Sequence, residues 1–77
     1  MLILIVEDEP ISALSTVAEL EHAGHKTLGP AATLEEGLAL ALSGHPTLAL
    51  IDIDLMRAGD GLELARKLRE LHIAACS

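Results

Sequence analysis

Two short apolar runs, each closed by carboxylates, organise the chain. Leu2-Ile3-Leu4-Ile5-Val6 leads into Glu7-Asp8-Glu9, and Leu48-Ala49-Leu50-Ile51 leads into Asp52-Ile53-Asp54. Short uninterrupted runs of Leu, Ile and Val read as strands buried on both faces, the kind that builds parallel sheets. Around them the spacing becomes helical. Pro10 suits the first turn of a helix, where its missing N–H costs nothing. Ile11, Leu14 and Ala18, widened by Ala13, Val17 and Leu20, then give an apolar stripe about half the helix circumference wide. A helix that only covered a sheet would need a narrower face, so a second neighbour is expected. Gly24 stops this helix, and Thr27-Leu28 centres a short strand between His25 and Pro30. Thr33 followed three residues later by Glu36 is a capping box that opens a second helix. Leu34, Leu38, Ala41 and Leu42 form its buried face, and Gly44 ends it. Gly37 within it costs up to about 1 kcal/mol against alanine and marks close packing or nothing. Leu55 to Gly59 reads as a loop. Asp60 with Glu63 caps a third helix that buries Leu64, Ala65, Leu68 and Leu71 and turns Arg66, Lys67 and Arg69 to water. His72 to Ser77 begins another strand.

The order is strand-helix-strand-helix-strand-helix with the start of a fourth strand. With right-handed crossovers this is one α/β domain over residues 1–77, a parallel sheet in a three-layer arrangement. Open sheets of this kind carry their sites at the carboxyl ends of the strands. If the two apolar runs are neighbours, Glu7, Asp8 and Asp52 converge there. Three carboxylates a few ångströms apart repel unless a cation lies among them, and an all-oxygen donor set suits Mg²⁺. Acids after a strand also serve simply to start a loop or to favour a helix N-terminus, which is the reading for Glu9.

Composition narrows the partners. The chain has twelve acidic and five basic residues among 77, a net charge of −7. Phosphate recognition needs clustered Lys and Arg, so neither nucleic acid nor an anionic membrane is expected as a partner. No apolar stretch reaches the roughly 20 residues that span a bilayer, and the N-terminal run lacks a signal peptide's cleavage site. A lone Cys76 suits a reducing compartment, so a cytoplasmic protein is expected. Apolar residues make up 51% of the chain, yet it has no Phe, Tyr or Trp. So much apolar surface on so short a chain points to a homo-oligomer. His22, His25, His45 and His72 are scattered and suggest no shared site.

Taken together, Ile3-Leu4-Ile5-Val6-Glu7-Asp8-Glu9-Pro10, His22-Ala23-Gly24-His25, Ala32-Thr33-Leu34-Glu35-Glu36, Leu48-Ala49-Leu50-Ile51-Asp52-Ile53 and Asp60-Gly61-Leu62-Glu63-Leu64-Ala65 resemble the receiver domain of two-component response regulators. The resemblance covers the whole chain in order. It implies a flavodoxin-like sheet and a signalling domain, not an enzyme. A phosphoryl group would pass from a sensor histidine kinase or phosphotransfer protein to Asp52. Glu7 and Asp8 would hold Mg²⁺ with Asp52, Asp8 directly and Glu7 through water, and Asp54 would add its backbone carbonyl. Asp54 competes with Asp52 as acceptor, since either could end the strand. Asp52 follows the apolar run directly, and its interval to Asp60-Gly61 fits a longer-loop variant of the family.

Against the family's five strands and five helices, the sequence reads as a receiver truncated after about its fourth strand. The Ser or Thr that ends strand four is expected just past Ser77, unless strand four is very short and Ser77 fills the role. The Lys that ends strand five has no counterpart, because Lys26 and Lys67 lie on other elements. Impaired phosphoryl chemistry is therefore expected. Two alternatives are a dimerising or kinase-binding module without phosphoryl chemistry, and a fragment of a haloacid-dehalogenase-type phosphatase built on Asp52-Ile53-Asp54. The second needs a Thr or Val where Met56 stands.

Overall fold

The computed structural model describes residues 1–77. Its elements are β1 (Leu2–Val6), α1 (Pro10–His22), β2 (Lys26–Ala31), α2 (Leu34–Gly44), β3 (Leu48–Ile51), α3 (Ile53–Ala58), α4 (Asp60–Glu70) and β4 (Ala74–Cys76). The four strands form one sheet in the order β2-β1-β3-β4, all pairs parallel. This is the α/β, flavodoxin-like architecture expected from the strand and helix order.

β1 is central and buried from Ile3 to Val6, which explains its uninterrupted apolar run. Leu4 and Val6 join Ala49, Ile51, Ala31 and Ala41 in a core sealed by Leu64 and Leu68 of α4. Alternation along the strand sends Ile3 and Ile5 to the other face, where α1 packs. α1 buries only Ala13 fully, with Thr16, Val17 and Leu20 partly covered, and leaves Ile11 and Leu14 exposed. The wide stripe expected on this helix is real, and its outer half has no neighbour within the chain.

Four helical expectations change. Leu42 does not belong to the buried face of α2: it is 53% exposed, and Gly37 takes the inner position with Ala41. The reason is clearance. A Cβ on Gly37 would lie 3.0 Å from Leu64 and 3.3 Å from Val6, so α2 sits closer to the sheet than a larger residue would allow. The stretch read as a loop, Leu55 to Gly59, is mostly helical. α3 begins straight after Asp52, whose carbonyl accepts from the Met56 N–H at 3.1 Å, and Leu55 and Met56 pack against the core. Gly59, at φ +98°, turns the chain into α4. Asp60 therefore opens α4 without capping it, and no side chain caps that terminus. Leu71 also lies further out than expected.

Gly61 holds the two helices together. A Cβ there would come within 2.7 Å of the Met56 nitrogen and 2.8 Å of the Leu55 carbonyl carbon, both backbone atoms. Gly61→Ala is expected to force α3 away and destabilise the protein by about 1–3 kcal/mol, read as a lowered midpoint in urea. An unchanged midpoint would show that α3 moves freely.

Candidate functional site

Backbone register builds the site. β1 and β3 pair with Val6 opposite Ile51, so the next residues of both strands, Glu7 and Asp52, leave the sheet side by side. The ladder continues through them: the Asp52 N–H donates to the Val6 carbonyl at 2.9 Å, and the Glu7 N–H to the Ala31 carbonyl at 2.8 Å. Both are half-buried and held at their backbones, while Asp8 stands exposed on the turn into α1. Carboxylate oxygens of Glu7, Asp8 and Asp52 lie within 4.8 Å of one another. The expected convergence of these three residues is the geometry observed.

Glu9 is separated from the group by its own task. Its carboxylate accepts from the backbone N–H of Ser12 at 2.7 Å and of Ile11 at 3.3 Å, capping α1. Those bonds hold its pKa below the ordinary value. Glu7 is shifted the opposite way. Partial burial pushes its pKa up, the negative charges of Asp52 and Asp8 add to the rise, and a bond from the Glu9 N–H only partly offsets them. No cation of the chain relieves the cluster. The molecule's one ion pair joins Lys67 to Glu63 at 3.8 Å on α4. Lys26 begins β2 at the opposite edge of the sheet.

Asp54 lies in the first turn of α3 and is exposed. A helical carbonyl runs along the helix axis, so Asp54 is presented differently from a residue in an open loop. Ser77 follows a three-residue β4 in which Cys76 pairs with Leu50 of β3. It lines an open groove of about 430 Å³ together with Glu7, Asp52 and Thr16. The hydroxyl expected beyond the chain thus has a candidate within it. The pairing of Cys76 with Leu50, two residues before Asp52, is what puts it there.

An all-oxygen donor set without an internal counter-ion fits a hard divalent cation such as Mg²⁺. The model of the response regulator receiver domain matches residues 3–76. Among curated proteins, the phyllosphere-induced regulator PhyR of Methylorubrum extorquens is 40% identical over 67 residues. That match covers 86% of this chain and 25% of the regulator, so the chain spans about a quarter of that protein's length. No solved structure matches. The receiver match takes in Asp52-Ile53-Asp54 and leaves the phosphatase reading of that motif without support.

Proposed function

The chain belongs to the response regulator receiver domain family, and from that premise we propose that it accepts a phosphoryl group on Asp52 beside a Mg²⁺ ion held by Glu7, Asp8 and Asp52. Receivers are signalling domains that work with histidine kinases or phosphotransfer proteins, and such a protein is the proposed donor. The observation that carries the reading is the uncompensated group of three carboxylates within 4.8 Å, placed where β1 and β3 end in register.

The reaction is a displacement at phosphorus. An oxygen of the Asp52 carboxylate forms a bond to phosphorus while the bond from phosphorus to the donor breaks, and the electron pair leaves with the donor group. The bound cation would neutralise charge on the phosphoryl oxygens. Asp52 is suited to the task because its backbone is pinned to Val6, which limits the directions its carboxylate takes. Ser77 is proposed to donate its hydroxyl to a phosphoryl oxygen, from its place in the groove beside Asp52. The Asp54 carbonyl is proposed as a further oxygen for the ion, through the lone pair its helical bond leaves free. Asp54→Ala should therefore leave metal affinity unchanged, because only its backbone takes part.

Neither lysine lies at the site, so within residues 1–77 the phosphoryl group has no ammonium donor. Removal of one such donor costs about 10²–10³ in rate. Uptake from a small acyl phosphate with Mg²⁺ is expected to be that much slower than in a receiver that has the lysine, and to stop when the divalent cation is chelated. Equal uptake in the presence of chelator would contradict the role given to the ion. A second reading, a receiver-derived interaction module without phosphoryl transfer, rests on the apolar side chains that α1 exposes. In either case self-association is proposed, because Ile11 and Leu14 stand exposed on α1.

A further inference from the structure

The four histidines are scattered along the sequence, and the fold brings two of them to one place. A pocket of about 190 Å³ lies where α2 and α4 end, and Leu42, Pro46, Leu71 and Ile73 give it apolar walls. His45 and His72 supply its only polar side chains. Neither imidazole has a hydrogen-bond or ion-pair partner within the chain, so each ring keeps a nitrogen lone pair to offer. The walls are internal segments of the chain: the last turn of α2, the end of α4 and the residues that lead into β3 and β4.

The two backbones match as well. His45, at φ +48°, and His72, at φ +62°, are the molecule's only residues other than glycine with positive φ. Each takes the left-handed turn that ends its helix. The His45 N–H donates to the Ala41 carbonyl at 3.0 Å, and the His72 N–H to the Arg69 carbonyl at 2.9 Å. Gly or Asn meets the needs of such a turn at lower cost, so the turn accounts for the backbone and leaves the paired imidazoles unexplained. The surroundings select a cation. Helix C-termini carry partial negative charge on their last carbonyls, two of them end beside this pocket, and no Lys or Arg lines it.

We propose that His45 and His72 hold a transition-metal ion of the Zn²⁺ type, and that the ion ties the end of α2 to the end of α4. Imidazole nitrogen suits Zn²⁺, Ni²⁺ and Cu²⁺, whereas Mg²⁺ takes oxygen. The pocket and the carboxylate group therefore divide cations by ligand chemistry. Room is sufficient. Zinc stands about 2.0–2.1 Å from an imidazole nitrogen, and a water molecule takes about 30 Å³ of liquid volume. A pocket of about 190 Å³ holds the ion together with the waters that complete its coordination. Because α4 seals the core through Leu64 and Leu68, an ion bridging α4 to α2 stabilises the fold.

The test is calorimetric titration with Zn²⁺ in excess Mg²⁺, which keeps the carboxylate group occupied. One ion per chain is expected, with a melting temperature that rises as Zn²⁺ is added. Asn accepts a left-handed backbone, so His45→Asn and His72→Asn should keep the fold by circular dichroism while removing the ligand. Each should weaken Zn²⁺ binding by about tenfold or more, at least the cost of losing a ligand's supporting partner. The double variant should lose little more than either single one, because both changes break the same two-point hold. His22→Asn and His25→Asn should bind as the unaltered chain does. Imidazole NMR of the unaltered chain gives an independent reading, in which the ring signals of His45 and His72 shift together with added Zn²⁺. Full binding in either single variant, binding lost with His22 or His25 instead, or no saturable binding at submillimolar Zn²⁺ would overturn the site and leave the Mg²⁺ reading of the carboxylates untouched.

Discussion

Leu68→Ala is expected to leave the protein close to unfolded at room temperature. Leu68 has no exposed surface and closes the core with Leu64, Val6 and Ile51. Cutting a buried Leu back to Ala costs about 2–5 kcal/mol, through lost transfer energy and the cavity left behind. A domain of this length has only about 4–12 kcal/mol in total. No aromatic side chain is present to fill the gap, so relaxation around the cavity is limited to small movements of Leu, Ile and Ala. Leu42→Ala is the control. At 53% exposure it should fall within about 0.5 kcal/mol of the unaltered chain. Urea unfolding of the two variants checks both values, and a large loss at Leu42 would show that the helix is turned the other way.

The second large effect is a reversal of sign at the site. Burial, then the charges of Asp52 and Asp8, raise the Glu7 pKa in the folded protein. The folded state therefore holds that proton more tightly than the unfolded chain does. The resulting stability is complete below the ordinary carboxylate pKa and is lost as pH rises through the raised one. At neutral pH the metal-free cluster thus opposes folding. Asp52→Asn removes one of the charges acting on Glu7, so it should raise the melting temperature at pH 7 without Mg²⁺, with the gain shrinking toward pH 4. With Mg²⁺ at ten times its dissociation constant, the unaltered protein should gain about 1.4 kcal/mol, several degrees for a chain this short. Asp52→Asn should gain far less. Scanning calorimetry with and without Mg²⁺ at both pH values decides it. Parallel shifts in the two proteins would remove Asp52 from the metal site.

The parts of this molecule legible in the sequence are those where one physical rule acts alone. Five consecutive apolar residues in β1 are buried because the strand is covered on both faces. Glu7, Asp8 and Asp52 could be brought together on paper because two parallel strands in register place their following residues side by side. Thr33 capped α2 as its spacing implied, accepting from the Glu36 N–H at 3.1 Å. Elsewhere tertiary contacts decided the outcome. Leu42 fits a buried stripe by period, but Gly37 lets α2 approach the sheet and rotates the inner face. α3 has too few turns for a periodic signal, and it forms because Leu55 and Met56 find the core while Gly61 allows its backbone close to α4. Ser77 reached the carboxylate groove through the pairing of Leu50 with Cys76, a register that Ala-Ala-Cys does not encode by itself. Asp60 looked like a cap, but the positive φ of Gly59 placed it inside the helix.

Covalent mapping decides whether Asp52 takes the phosphoryl group. The folded protein is treated with a small acyl phosphate and Mg²⁺, the acyl phosphate formed is reduced with borohydride, and the peptides are sequenced by mass spectrometry. A single reduced residue is expected at position 52, absent without divalent cation and absent in Asp52→Asn. Reduction at Asp54 or Asp8, or no adduct while Mg²⁺ measurably stabilises the fold, would contradict it.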